Sequence, residues 1–170
     1  MWLIVMKGLP GSGKSTLSRV VSKHFGWPLI DKDDARDCLA DEIPEAGGVA
    51  YDIMFRIACR QLLQRLSVIC DSPLTAPMSY DHAQAVARKT QATLIVIECI
   101  CSDETLWKRR ITSREAFGLP AHHQTDWDRF QVYRRLHGFQ ANYPISYLHL
   151  VVDTIKPIHE CLNEIVVWLA

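Results

Sequence analysis

The sequence predicts an α/β domain, a doubly wound five-stranded parallel sheet with helices on both faces. Three observations carry that expectation. Five short runs are almost wholly apolar, as suits strands covered on both sides. Amphipathic segments alternate with them. A glycine-rich turn joins the first run to the first such segment.

The strand-like runs are WLIVM (2–6), PLI (28–30), SVIC (67–70), TLIVIEC (93–99) and LHLVVD (148–153). A helix over Lys14–Phe25 places Leu17, Val20, Val21 and Phe25 on one face. A second over Tyr51–Leu66 groups Ile53, Ile57, Ala58 and Leu62. Ser79 precedes an Ala- and Gln-rich run, and Ser102 precedes Asp103 and Glu104, acids suited to a first helical turn. Pro157 suits the start of a last helix, whose Ile158, Cys161, Leu162, Ile165 and Leu169 share a face. With no linker or repeat, residues 1–170 are expected to form a single domain. Its loosest stretch is FGLPAHHQTD (117–126), polar and carrying Gly and Pro.

Composition narrows the class. The chain is 48% hydrophobic and 22% charged, an ordinary globular mixture. Lys plus Arg (19) equals Asp plus Glu (19), so net charge argues for neither nucleic acid nor a membrane surface. The six cysteines lack CxxC or zinc spacing and read as buried free thiols in a reducing compartment. The first apolar run is too short to span a bilayer and follows no basic region. A cytoplasmic monomer or weak dimer with no membrane partner is expected.

Gly8-Leu9-Pro10-Gly11-Ser12-Gly13-Lys14-Ser15, followed by Thr16, matches GxxxxGK[ST] without a gap. At average residue frequencies, a chance match has odds on the order of 1%. Glycines let backbone N–H groups converge on an anion, because no Cβ blocks the approach. The helix that follows turns its positive dipole end to the same oxygens. Lys14 is placed to neutralise β- and γ-phosphates, and the Ser15 hydroxyl to ligate Mg²⁺. Residues 8 and 10–16 are thus the candidate nucleotide cradle, and ATP with Mg²⁺ the expected ligands.

Ligands of α/β sheets gather beyond the carboxyl ends of the strands. Asp31-Lys32-Asp33-Asp34-Ala35-Arg36 follows the second run, Asp71-Ser72-Pro73 the third, and Asp153-Thr154 ends the last. Carboxylates there can orient a hydroxyl and accept its proton. Asp31 and Asp34 equally suit helix capping.

GLPGSGKST followed by DKDDAR resembles the small P-loop kinases around polynucleotide kinase, zeta-toxin-type kinases and chloramphenicol phosphotransferase. Their shared pattern is a Walker A loop, a D-D-x-R after the second strand, an Arg-bearing lid and a late strand ending in Asp-Thr. The resemblance implies a P-loop NTPase fold like that of nucleoside kinases, with a small helical lid at about 108–127. It implies Asp33 as general base, Arg36 as acceptor-binding arginine, and Asp71 as holder of the acceptor hydroxyl or an Mg²⁺-bound water. It implies Arg110 and Arg114 as lid arginines, whose spacing independently puts them on one helix face.

The expected activity is transfer of the ATP γ-phosphate to a hydroxyl, with Lys14, Asp33, Arg110 and Arg114 catalytic. A small-molecule acceptor is favoured over a polynucleotide 5′-hydroxyl, since the chain is neutral and small. A nucleoside or nucleoside-monophosphate kinase is a rival without an identifiable base pocket. An ATP-binding switch is the non-enzyme rival, opposed by the full set of Lys14, Ser15 and Asp33. SVICDSP lacks the Asp-Glu pair of water-activating ATPases, and no Asn-Lys-x-Asp guanine motif occurs. His122-His123 reads as solvated. Trp127, Phe130 and Tyr133 recur at helical spacing and read as core, while Arg129, Arg134 and Arg135 form the one hint of a basic patch.

Overall fold

The computed structural model describes residues 1–39, 43–113, 126–137 and 142–170. Among these, β1 (Trp2–Lys7), β2 (Leu29–Asp31), β3 (Val68–Asp71), β4 (Thr93–Ile100) and β5 (Leu148–Asp153) form one sheet in the order β2-β3-β1-β4-β5. Every neighbouring pair is parallel. The expected runs are all strands, with ends displaced by at most one residue. The helices are α1 (Lys14–Phe25), α2 (Lys32–Cys38), α3 (Ala46–Leu63), α4 (Pro77–Thr90), α5 (Glu104–Thr112), α6 (Trp127–His137) and α7 (Ile158–Leu169).

Strand alternation divides the core into two layers. Ile4, Met6, Ile69, Ile95 and Ile97 pack with Leu17 and Val21 of α1 and Cys161 and Ile165 of α7. Leu3, Val5, Leu94 and Val96 face Met54, Phe55, Ala58 and Leu62 of α3 and Tyr80, Ala83 and Val86 of α4. Each fully buried aliphatic side chain contributes about 1.5–3 kcal/mol relative to exposure. A third cluster joins α5 to α6 through Trp107, Ile111 and Phe130. No helix among the described residues is long and apolar enough to cross a membrane.

Three helix expectations need correction. The second helix starts at Ala46, not Tyr51, and ends at Leu63. Gly47 and Gly48 lie inside it at a cost of about 0.5–1 kcal/mol each, offset because Ala46 and Ala50 are buried. Its buried face is therefore Ala50, Met54, Phe55, Ala58 and Leu62, with Ile57 turned outward. Pro77, not Ser79, opens α4, its missing N–H costing nothing in the first turn. Asp103, not Ser102, caps α5, its carboxylate accepting from the Leu106 amide at 3.0 Å.

Candidate active site

The loop from Gly8 to Gly13 crosses the carboxyl end of β1, the central strand. Gly11 (φ 77°) and Gly13 (φ 83°) occupy the left-handed region, where an L side chain is strained. Both also lie tight against neighbours. A Cβ on Gly11 would lie 2.8 Å from Ile111 Cγ1, and one on Gly13 would lie 2.9 Å from Thr154 Oγ1. No side chain caps α1 at Gly13, so its first amides remain available to an anion.

Lys14 and Asp71 meet beneath the loop, with Nζ 3.7 Å from Oδ1 and the carboxylate 2% exposed. Ser18 Oγ lies 3.0 Å from Asp71 Oδ2 and 3.0 Å from the Ser15 carbonyl, its single proton shared between them. Asp71 Oδ1 and Ser12 Oγ are buried without a hydrogen-bond partner. Orphaned polar atoms beside an uncapped helix are the expected signature of a site shaped for a polar ligand. Mg²⁺ keeps several waters and needs few protein ligands, so Ser15 with phosphate oxygens fits it, and no larger carboxylate cluster is required.

Two side chains tie α5 to the loop. Trp107 Nε1 donates to the Pro10 carbonyl at 2.8 Å. Arg110 donates from Nη1 to Thr154 Oγ1 and from Nη2 to the Thr154 carbonyl, both at 2.8 Å. Thr154 Oγ1 in turn reaches the Ser12 carbonyl at 2.8 Å and the Ile100 carbonyl at 3.1 Å. A cleft of about 400 Å³ opens here, lined by Gly13, Thr16, Arg110, Thr154 and Lys156. On the other flank the Gly8 amide donates to the Pro73 carbonyl at 3.0 Å, joining the loop to the turn after Asp71.

The second carboxylate turn is adjacent. Asp31 pairs in register with Asp71 across β2 and β3. Burial, then the neighbouring Asp71 carboxylate, pushes the Asp31 acid up to about 6. Its Oδ1 caps α2 by accepting from the Asp33 amide at 2.9 Å, the capping role anticipated for it. Asp33 is half-exposed and ion-paired with Lys32 at 2.7 Å. Arg36 donates from Nη1 to the Leu39 carbonyl at 3.3 Å.

Lys14, Ser18 and Asp71 therefore come together beneath the loop with the Ser15 carbonyl against Ser18, Arg110 joins its far side, and Asp33 and Arg36 stand on α2 beyond β2. Arg114, His122 and His123 lie outside the described residues, as do residues 114–125 of the expected lid. Asp153, the last residue of β5, turns its carboxylate to the backbone instead, accepting from the Ser102 and Ile155 amides, both at 3.2 Å. Phe130 is core as expected, whereas Tyr133 is surface-exposed. Trp107 and Ser18 escaped the sequence reading, since a Trp in a helix and a Ser after a Walker loop carry no pattern of their own. Cys99 is buried, and burial pushes its thiol up to about 12, away from the thiolate form.

A family model described as AAA domain (AAA_33) matches residues 3–143. The chain belongs to this AAA domain family. No curated protein matches the sequence. Among solved structures, this AAA domain resembles a candidate kinase from Chloroflexus aurantiacus J-10-fl, with a TM-score of 0.79 at 25% identity over 99% of this chain and 96% of that one. It also resembles an unliganded sugar kinase from Janibacter sp. HTCC2649, with a TM-score of 0.70 at 13% identity over 99% and 94%. Kti12 of Chaetomium thermophilum, solved with ADP-AlF3, gives 0.69 at 16% identity over 99% of both chains. These likenesses establish a P-loop NTPase fold of the kinase type for this AAA domain.

Proposed function

We propose that this AAA domain is an ATP- and Mg²⁺-dependent kinase that phosphorylates a hydroxyl of a small molecule. The observation that carries the reading is the loop of residues 8–16, with Lys14 set against a buried, half-orphaned Asp71 at an uncapped helix start. The candidate kinase from Chloroflexus aurantiacus supports it. So does nucleotide in the Kti12 structure.

In this reading the loop amides and Lys14 hold the phosphates, and the Ser15 hydroxyl holds Mg²⁺, which when bound neutralises phosphate charge. Asp33 accepts the acceptor's proton as that oxygen bonds to phosphorus. The bond from phosphorus to the bridging oxygen breaks, and its electron pair leaves with ADP. Asp71 and Arg36 orient the acceptor. Arg110, already held at the rim of the loop, stabilises the loose anionic transition state, and Arg114 shares that role.

A small acceptor gains support over a polynucleotide from the basic patch itself. Arg129 pairs with Asp126 at 3.2 Å and Arg134 with Glu104 at 3.5 Å, so two of its three arginines have a local counter-charge. The test is incubation with γ-labelled ATP and separate pools of metabolites, nucleosides and 5′-hydroxyl oligonucleotides. Label is expected in the metabolite pool. Label in no pool, with ATP binding that Lys14→Ala abolishes, would replace the kinase by an ATP-binding switch.

A further inference from the structure

A cavity of about 330 Å³ opens beside the start of the loop and shares Gly8 and Leu9 with it. Pro73 and Thr75, which follow Asp71, form another part of its wall. The cavity thus touches both the phosphate cradle and the turn after the acceptor-side carboxylate. Its floor is an ion pair. Lys7, the last residue of β1, is 5% exposed and ion-paired through Nζ with Glu98 Oε1, its register partner on β4. Glu98 Oε2 lies 2.9 Å from His149 Nε2 on β5.

This row continues the sheet face that carries Leu3, Val5, Leu94 and Val96, all fully buried aliphatic residues. A largely buried ion pair is often matched or bettered by apolar residues of similar volume, so packing alone does not explain charge at positions 7 and 98. The pair sits where the strands end and faces a cavity, the usual ligand position in an open α/β sheet. Side by side it presents ammonium hydrogens and carboxylate lone pairs with no net charge. An anionic ligand would meet Glu98, and a cationic one would meet Lys7. Two adjacent hydroxyls suit both, since each donates and accepts. Thr75, Ser102 and Asn142 add polar groups, and the Trp107 ring adds an apolar wall. The volume lies near the low end of the roughly 300–1,000 Å³ range of small-molecule sites.

We propose that this cavity binds a neutral polyhydroxylated molecule of monosaccharide or cyclitol size, with Lys7 and Glu98 bridging two neighbouring hydroxyls. The binding claim stands apart from the kinase reading above and is testable without nucleotide.

Saturation-transfer NMR on the full chain, with no ATP present, would use glucose, ribose, myo-inositol and glycerol as neutral probes, and gluconate and glycerate as anionic ones. At least one neutral probe is expected to bind, with the anionic pair silent. The double variant Lys7→Met/Glu98→Leu exchanges the pair for apolar groups of like size and should stay folded. It is expected to weaken the neutral probe ~10-fold or more and to leave ADP affinity unchanged. Should it unfold, Thr75→Val leaves the pair in place and is expected to weaken the probe about five-fold. Binding of no neutral probe, equal binding of gluconate, or unchanged affinity in a folded variant would overturn the proposal. Binding of a neutral probe that the double variant weakens supports the site whether or not that probe takes label from γ-labelled ATP.

Discussion

Asp33 presents its carboxylate from the first turn of α2, beside Lys32, whereas Asp31 turns its own onto the Asp33 amide. If Asp33 is the base, Asp33→Asn lowers turnover by at least ~10²-fold and leaves nucleotide affinity nearly unchanged. Steady-state kinetics beside ADP titration checks this, and turnover within a few-fold of wild type removes Asp33 from the role. Asp31 makes a different prediction. Its acid is raised from 3.8 to about 6 by burial and by Asp71, so the folded state holds a proton the unfolded state has released. The stability this gives is complete below pH 3.8 and is lost as pH rises through about 6. Asp31→Asn keeps a good helix cap and removes the titration. Since the side chain is partly open to water, the variant should gain only on the order of 1 kcal/mol over wild type at pH 7. The gain should vanish near pH 4, as urea unfolding of the nucleotide-free protein at both pH values will show.

Between elements, the contact that most defines the site is α5 against the loop. Gly11→Ala forces a Cβ against Ile111 and Trp107 at a left-handed φ, so it should loosen the hydrogen bond from Trp107 Nε1 to Pro10. An ADP affinity at least ~10-fold weaker, by calorimetry, is the expected result. Unaltered affinity would show that α5 does not shape the cradle. The same elements show what a linear sequence reveals. The strands and α1 were legible because apolar periodicity is a local property, and the loop because its chemistry lies within nine consecutive residues. The first turn of α3 was hidden behind Gly47 and Gly48, whose local cost is outweighed by burial of Ala46 and Ala50. Within the candidate site, Lys14 and Ser15 were nominated by motif, and Asp33 and Asp71 by strand end and resemblance. The pairing of Lys7 with Glu98 and the hold of Thr154 on Ser12 depend on strand register and distant chain segments, which leave no local pattern.

For the molecule as a whole, a ligand that binds only the folded state raises its stability by mass action. ADP with Mg²⁺ at a hundred times its Kd should add about 2.7 kcal/mol, seen as a rise of roughly 5–10 °C in Tm for a chain of this length. Lys14→Ala should abolish that rise, read against the variant's own unliganded Tm. A rise that persists in the variant would place the nucleotide elsewhere.

Thr154 reaches the Ser12 carbonyl across 142 positions of chain, from just beyond β5. While a ribosome is still short of β5, the loop has its glycines and Lys14 but not this grip, and Arg110 has no Thr154 to lean on. The loop's grip is therefore completed only after β5 has been made, later than the central strands that carry the loop.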